Sequence, residues 1–428
     1  MGFRDRFSAW LVEHGAEAES IPSLLDAYCG FLNGEAFAIH RCSLATDTIH
    51  PQMTGMRHVW YREAVEVTPI NPAVLVDRRQ YCIGEALIDE VFFNSQSQQN
   101  PQFKASPFYQ IELRGELYER IGPAGSRQPY PLFDDLAAEG CTAYFGMVLK
   151  SFAGMLQKVS LATSRDGGLD PDCIDDLRWT LSLLTLHLNT LIEFSIKNTL
   201  ARVYLGRDPG KRVSDGMIAA GDVISLEGAI WFSDLRGFTE TSGRLPPEEL
   251  VALLNEYFAT VVAPIYAGGG EVLKYIGDAI LAVFPASSFA DAAEACRAAL
   301  EAAAEADERL QALNGRRAAT RGVGIAHGIG LHYGKAHYGN VGVFERLDFT
   351  LIGREVNIAS RIEGLTKELA GSPLCSAAFA AASGLRHRSL GDFALKGVTE
   401  PVEIFQPQVV EARPSSPQES KYGARGTL

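Results

Sequence analysis

The sequence lacks the long apolar run that a membrane-spanning helix requires. No stretch reaches the roughly 18 apolar residues needed, and the nearest candidate, 179–196, carries His187, Asn189 and Glu193. The N-terminus also lacks the apolar core of a signal peptide. It begins Met-Gly, but Arg6 stands where a myristoylation motif requires Ser or Thr. We therefore expect a cytoplasmic protein without membrane insertion.

Patterned cysteines and an excess of positive charge are also missing. The seven cysteines are scattered without a C-x-x-C pair, which is typical of reduced thiols in a cytoplasm. The 39 Lys and Arg are outnumbered by 52 Asp and Glu, and the net charge is −13. This balance argues against nucleic-acid binding, but it is compatible with a local basic pocket for a phosphorylated metabolite. A chain of 428 residues with 46% hydrophobic content predicts two or three globular domains.

The chain is predicted to contain four segments. Residues 1–170 mix short strands and helices, and residues 171–226 form a long helix followed by a connector that begins near Tyr204. Residues 227–407 form one compact unit, and the polar tail 408–428, rich in Ser, Pro and Gly, favours disorder. The long helix carries leucines spaced alternately by four and three: Leu177, Leu181, Leu184, Leu188 and Leu191. This spacing favours either pairing with the same helix of a second copy or packing on the helix's own domain, and both can hold at once.

Residues 227–407 show the order strand, helix, two strands, helix, strand. The strands are 227–235, Val272–Ile276, Ala279–Phe284 and a strand and turn in 322–342, and the helices are 246–269 and 289–313. A short helix at 354–367 and closing strands follow. This order predicts an α+β fold of the split βαβ, ferredoxin-like type.

Two acidic residues stand at strand ends of this unit. Asp234 closes the first strand and Asp278 lies in the hairpin turn, so both carboxylates come to one edge if the strands are neighbours. Paired carboxylates repel each other without a cation, and such oxygen ligands suit Mg²⁺ or Mn²⁺. Backbone N–H groups of Gly237, Phe238 and Thr239, ahead of a helix, suit phosphate oxygens. The alternative is that Asp278 only completes an ordinary Gly-Asp turn.

Five segments in a fixed order carry a family resemblance. They are FSDLRGFT, KYIGDAILAVF, GIGLHYGKAHYGNVG, DFTLIGREVNIASRIEGL and LKGVTEPVEIF. Over roughly residues 205–407 the chain resembles the class III nucleotidyl cyclase catalytic domain, the adenylate/guanylate cyclase family. The resemblance implies that Asp234 and Asp278 hold two metal ions, Mg²⁺ or Mn²⁺. It implies substrate-binding roles for Lys274 and Thr350 at the base and for Lys396 at the terminal phosphates. It also implies that Asn357 orients the ribose and that Arg361 stabilises the pentavalent phosphorus.

The implied function is the conversion of ATP to 3′,5′-cyclic AMP and pyrophosphate at a homodimer interface. In this family the metal carboxylates come from one catalytic domain and the remaining site residues from the other. Lys274 implies ATP rather than GTP, and Thr350 stands where many adenylate cyclases have Asp. The alternatives without a functional role are that Lys274 is only a solvated strand lysine and that Thr350 only packs in its strand. Arg236, where some family members carry Glu, touches either phosphate or only solvent.

Three other functions fit the sequence less well. A nucleotide-binding regulator without turnover would not need both carboxylates and Arg361, and a cyclase acting on GTP would usually carry an acidic residue at Lys274. A diguanylate cyclase would want a GGDEF-type turn, whereas this chain has YIGDAI. His327, His332 and His337 are spaced by five along a strand, so neighbours point to opposite faces and are predicted to be structural.

The N-terminal segment carries a weaker resemblance. Residues 136–193 are similar to the second half of GAF domains, while the first half matches poorly and a PAS-like domain is the alternative. A GAF-like regulatory domain implies a small-molecule ligand, but an unliganded dimerisation domain is an equal expectation. Haem or metal ligands are available in His40, Cys42, His50, His58 and Cys82, although nothing in their spacing demands such a site.

Overall fold

The computed structural model describes residues 1–15, 17–50, 53–63, 75–94, 99–150, 155–319, 322–343, 345–369 and 371–407. The tail 408–428, predicted to be disordered, lies outside these residues. The described chain divides into two compact units, one from Met1 to Thr199 and one beginning at Leu200.

The N-terminal unit is built on an antiparallel seven-stranded sheet in the order β3-β4-β2-β1-β7-β6-β5. Its elements are α1 Phe3–His14, α2 Ile21–Gly34, β1 Ile39–Asp47, β2 Gly55–Tyr61, β3 Leu75–Ile83, β4 Ala86–Phe93, α3 Pro101–Lys104, α4 Pro107–Arg114, β5 Glu116–Arg120, α5 Pro131–Ala138, β6 Ala143–Leu149, β7 Gln157–Thr163 and α6 Pro171–Leu205. The long helix predicted to begin at Pro171 is confirmed as α6.

One face of this sheet forms the main core of the unit. Strand side chains such as Cys42, Leu44 and Phe145 pack there with residues of α1, α2 and α6. The α6 leucines predicted from their spacing belong to this core: Leu177, Leu181, Leu184 and Leu188 are buried, and Leu191 packs against it. Packing on the helix's own unit is therefore confirmed, and pairing with a second copy stays a prediction.

The C-terminal unit is built on an eight-stranded sheet in the order β14-β15-β13-β11-β8-β10-β9, with β12 paired to β11. Its elements are α7 Arg207–Ser214, β8 Val223–Leu235, α8 Phe238–Ser242, α9 Pro247–Ala267, β9 Glu271–Ile276, β10 Ala279–Pro285, α10 Ala292–Ala319, β11 His327–Val343, β12 Arg346–Ile352, α11 Arg354–Leu365, β13 Leu374–Ser376, α12 Ala377–Ser383, β14 His387–Phe393 and β15 Val402–Pro407. The predicted β-α-β-β-α-β order is confirmed in β8, α9, β9, β10, α10 and β11.

Two local predictions for this unit need correction. The connector that follows α6 contains the eight-residue helix α7 after a break at Gly206 (φ 99°). The strand and turn predicted within 322–342 are instead one 17-residue strand, β11. It stays extended because β8 and β12 supply ladder partners almost to its end, which a sequence pattern cannot show.

Helices α9 and α10 cover one face of the C-terminal sheet. Their buried residues meet Trp231 of β8 and Phe284 of β10 in one apolar core. Within the described residues, α9 is the one helix long and apolar enough to cross a membrane by length and composition alone. In this structure it buries Leu253, Tyr257, Val261 and Ile265 in that core.

Candidate active site

The two predicted metal carboxylates lie side by side. Strand β10 pairs antiparallel with β8, with Ile280 opposite Ser233, so the ladder places Asp278 beside the end of β8. The turn that carries Asp278 depends on Gly277, whose φ of 66° favours glycine. Burial, followed by the neighbouring Asp234 carboxylate, raises the pKa of Asp278 to about 6. The sequence expectation that both carboxylates reach one edge is confirmed by this geometry.

The donors at this edge fit a hard divalent cation. Both side chains are only partly buried and offer oxygen atoms alone. A carboxylate whose pKa rises beside a second carboxylate gains most from a cation that neutralises both. The residues present therefore suit Mg²⁺ or Mn²⁺, and Asp234 and Asp278 would hold it.

The loop after β8 places its three predicted phosphate-binding residues differently. Phe238 packs against the apolar core, whereas Gly237 and Thr239 are exposed. Gly237 has a φ of 67°, and its carbonyl accepts a hydrogen bond from the Thr241 N–H at 3.0 Å. Phe238 therefore anchors the loop, and Gly237 and Thr239 face the solvent where a ligand would lie.

Arg236 has a different partner from either expected one. Its Nη1 lies 2.8 Å from Oε1 of Glu363, a buried carboxylate near the end of α11. Burial raises the pKa of Glu363, while the Arg236 guanidinium lowers it. The expectation of phosphate or solvent is corrected, because Arg236 joins the end of β8 to α11. Nothing in the sequence pairs these residues, which are brought together only by the sheet.

The predicted base-binding residues also lie together. Lys274 on β9 forms an ion pair with Asp348 on β12, and Thr350 lies two residues further along β12 on the same face. Lys274 is thus held in place rather than freely solvated. Sequence reasoning missed Asp348. The signal available was that Asp348 lies two residues before Thr350 in a strand, and residues two apart in a strand share a face.

Helix α11 presents Asn357 and Arg361 on its exposed side. Ile358 and Ile362 are buried beneath them, so the i, i+4 pair faces outward as its spacing predicts. Neither side chain makes a hydrogen bond or ion pair with the described part of the chain. Lys396 is exposed between β14 and β15 and is equally free of described partners. All three side chains are thus available to a ligand.

Helix α11 is fixed to the sheet at both ends. Near its start, Glu355 Oε2 lies 2.5 Å from Nε2 of buried His332, whose Nδ1 lies 2.7 Å from Ser376 Oγ. Burial lowers the pKa of His332. Near its end, Glu363 pairs with Arg236 as described. The structural role predicted for His332 is confirmed, and His327 has its own partner in Asp307, at 2.7 Å.

The two groups of site residues are separated within one chain. Asp234 pairs with Gly328 near the start of β11, whereas Thr350 pairs with Gly339 near its end. Along this strand Asp234 and Thr350 thus lie toward opposite ends.

In the N-terminal unit, the five suggested haem or metal ligands do not converge. Cys42 lies in the main core, His58 pairs with Glu90 at 3.2 Å, and Cys82 is exposed. His50 follows β1 in a loop. Among the described residues, His40 alone of the five belongs to a ligand-like group, with Glu139 and Cys141, whose donor atoms lie within 4.8 Å of one another. Sequence reasoning did not single out Glu139 or Cys141.

Comparisons with known proteins agree with the geometry of the C-terminal unit. Residues 226–399 match the family described as adenylate and guanylate cyclase catalytic domain. Adenylate cyclase 1 of Rhizobium meliloti is 35% identical over 179 residues, which are 41% of this chain and 26% of that protein. The adenylate cyclase of Anabaena cylindrica is 42% identical over 143 residues, 32% of this chain and 27% of that protein.

A solved structure of the adenylyl cyclase CyaB from P. aeruginosa is 30% identical, covers 45% of this chain and 98% of its own, and has a TM-score of 0.41. The chain spans about a quarter of the length of the two curated relatives. By its matched residues, and by the segments that supply the paired carboxylates and the outward face of α11, this chain belongs to the adenylate and guanylate cyclase catalytic domain family, the class III nucleotidyl cyclases.

Proposed function

We propose that the protein is an adenylate cyclase that converts ATP to 3′,5′-cyclic AMP and pyrophosphate. The observation that carries this proposal is the pair of abutting carboxylates, Asp234 and Asp278, at the end of β8, with the pKa of Asp278 raised to about 6. The two carboxylates repel each other when both are ionised, so the pair is unfavourable unless it binds a cation. Two relatives named adenylate cyclase share the surrounding sequence and support the same activity.

The residues divide the reaction among them. Asp234 and Asp278 would hold two divalent cations, which would supply positive charge against the phosphate and the ribose 3′-oxygen. Asn357 accepts or donates at the ribose, and Arg361 donates to the α-phosphate as negative charge grows there. Lys396 neutralises the terminal phosphates of the leaving pyrophosphate. Because Asn357, Arg361 and Lys396 are exposed and have no partner among the described residues, their contribution is mainly to position the substrate.

Base choice follows from Lys274 and Thr350. The Lys274 ammonium only donates, whereas the Thr350 hydroxyl can accept. Adenine offers N1 as an acceptor and N6–H as a donor, which satisfies both side chains. Guanine would place its N1–H against the ammonium, and such a mispaired buried group costs about 1–3 kcal/mol. Asp348 supports this choice because its carboxylate holds Lys274 in the site.

The active form is proposed to be a homodimer with two equivalent sites. Each site takes its carboxylates from one chain and Lys274, Thr350, Asn357, Arg361 and Lys396 from the other. The separation of Asp234 and Thr350 along β11 supports this arrangement. The N-terminal segment, residues 1–170, is proposed to be a GAF-like regulatory domain, connected through residues 171–226 to the catalytic domain.

Turnover of ATP and GTP by the full-length protein, with Mg²⁺ and with Mn²⁺, tests the proposal. We expect cyclic AMP and pyrophosphate in equal amounts, with kcat/KM for ATP at least about tenfold above that for GTP. The matched control is Asp278→Asn, which keeps the shape of the side chain and removes its negative charge. A wild-type protein that binds ATP without forming cyclic AMP would favour a regulator without turnover. Preferential use of GTP would overturn only the assignment of Lys274 and Thr350 to an adenine base.

A further inference from the structure

The N-terminal sheet has one face that is buried and yet strongly polar. Strand alternation sends Cys42 and Leu44 to the main core and Arg41 and Ser43 to the opposite side. The ladder between β1 and β2 places Ala45 opposite Arg57, so Arg57 shares this side. The polar face, as used below, consists of Arg41, Ser43, Arg57, Tyr144 and Ser160.

The members of the polar face are close neighbours in the sheet. Ser43 on β1 lies directly opposite Ser160 on β7. Tyr144 on β6 lies opposite Ala162, which in turn lies opposite Arg41. Arg41 is 7% exposed, Ser43, Tyr144 and Ser160 are at most 1% exposed, and Arg57 is half-buried. A polar set this deeply buried is expected to be hydrogen-bonded or paired.

Four cations of the described strands point to this side of the sheet, and two of them have ion-pair partners. Arg78 pairs with Asp89 at 2.8 Å, and Lys158 pairs with Glu112 of α4 at 2.6 Å. Among the described residues no carboxylate lies within ion-pair distance of Arg41 or Arg57. Their guanidinium groups lie instead over the rings of Tyr61 and Phe93, at 5.6 and 5.5 Å. Two positive charges therefore remain without an ion-pair partner in the part of the chain that the structure describes.

The hydrogen-bonding groups beside these arginines have few partners or none. Ser43 Oγ and Arg57 Nε are buried and make no hydrogen bond with the described residues, and the buried Tyr144 hydroxyl has the Ser160 hydroxyl as its side-chain partner. Burial, followed by the charge of Arg41, lowers the pKa of Arg57 to about 10. Burial also raises the pKa of Tyr144 to about 12, so its hydroxyl remains a donor at neutral pH. Every one of these groups can donate to a negative oxygen.

We propose that the polar face binds an oxyanion, the phosphate or carboxylate group of a small molecule, between Arg41 and Arg57. The planar guanidinium forks match the oxygen geometry of both groups, and the three hydroxyls supply further donors. The anion cancels the unmatched charge and satisfies the buried donors at once. The site lies wholly in the N-terminal unit, so it does not depend on the proposed nucleotide chemistry.

Isothermal titration of the full-length protein with inorganic phosphate, and separately with acetate, tests this site. The protein is first dialysed into a buffer whose only anion is chloride. We expect saturable binding that Arg57→Gln weakens by at least about tenfold, since charge-assisted hydrogen bonds are lost. The control is Arg79→Gln on the opposite side of β3, an exposed residue paired with Asp77, and it should bind as the wild type does. The stronger of the two anions identifies the ligand class.

Absence of saturable binding for both anions, or an equal loss in Arg57→Gln and Arg79→Gln, would overturn the proposal. Thermal unfolding gives a second readout that a purely structural arginine would not produce. Without phosphate, Arg57→Gln should unfold at the same temperature as the wild type or higher, because it relieves repulsion between guanidinium groups. Phosphate should then raise the unfolding temperature of the wild type alone. If Arg57→Gln does not fold, Arg57→Lys, which keeps the charge without the fork, should bind phosphate more weakly than the wild type.

Discussion

The two units place like charges at different points of their sheets. In the C-terminal unit, Asp234 and Asp278 meet at the end of β8, where both are partly exposed. In the N-terminal unit, Arg41 and Arg57 lie within strands, where Arg41 is buried and Arg57 is half-buried. The first pair is accessible to a small cation from solvent, whereas the second needs an anion that enters the domain. In both units, the sign of the unmatched charge indicates the sign of the ligand.

The same contrast extends to the helices. In α6 the leucine row from Leu177 to Leu191 faces inward and packs in the core of the N-terminal unit. In α11 Ile358, Ala359 and Ile362 are buried with Val356 and Leu365 packed beside their clusters, and Asn357 and Arg361 face outward. Side-chain contacts near both ends, Glu355 with His332 and Glu363 with Arg236, also hold α11. Helix α6 therefore builds a core, whereas α11 presents polar side chains that a ligand can contact.

The largest effect should come from removing a carboxylate at the end of β8. We expect Asp278→Ala to lower kcat for cyclic AMP by at least about a thousandfold, because it removes a ligand of the cation pair. Asp392→Ala, an exposed carboxylate on β14, is the matched control and should keep wild-type turnover. Normal turnover by Asp278→Ala would contradict the comparison between the two units, because the carboxylate pair would then not bind the cations that the reaction uses.

The two faces of α6 should differ strongly in stability. Leu184 is fully buried, so Leu184→Ala should lower the free energy of unfolding of the N-terminal unit by about 2–5 kcal/mol. Leu186 is 54% exposed, and Leu186→Ala should change it by less than about 0.5 kcal/mol. Urea unfolding followed by circular dichroism checks both. A large effect of Leu186→Ala at assembly concentrations, absent on dilution, would reveal a second role for α6 between copies.

A smaller effect is expected on base choice. Lys274→Glu replaces a donor with an acceptor and also opposes Asp348, so the ATP preference should fall by at least about tenfold in kcat/KM. Thr350→Asp keeps an acceptor in place and should largely preserve the preference. Competition assays with both nucleotides measure the ratio. An unchanged ratio in Lys274→Glu would remove Lys274 from the base site.

The smallest effect concerns pH. The pKa of Asp278 is raised from 3.8 to about 6 in the folded chain, so the folded state holds this proton more tightly. Its stabilising contribution is present below about pH 4 and is lost as the pH rises through 6. In EDTA, the wild type should therefore lose about 1 kcal/mol more stability than Asp278→Asn between pH 5 and 7.5, after allowance for solvent screening. Identical pH profiles would contradict the close approach of the two carboxylates.

Features set by local sequence were predictable. The Gly277-Asp278 turn, the i, i+4 pair on α11 and the start of α6 at Pro171 all depend on a few neighbouring residues. The partners of Arg236 and Lys274 were not, because Glu363 and Asp348 lie far along the chain and approach them only through the tertiary packing of α11 and β12. The polar face was missed for the same reason. The leucine row of α6 stayed ambiguous because a core helix and a paired helix share one spacing.

Mixing two inactive variants tests the central claim that each site is shared between two chains. Asp278→Ala and Arg361→Ala should each be inactive alone, because every site in those homodimers lacks one group. After co-refolding at equal amounts, half of the dimers carry one site with both groups intact, so activity should return to about a quarter of the wild type. Mixtures with demonstrated subunit exchange that stay inactive would contradict the shared site.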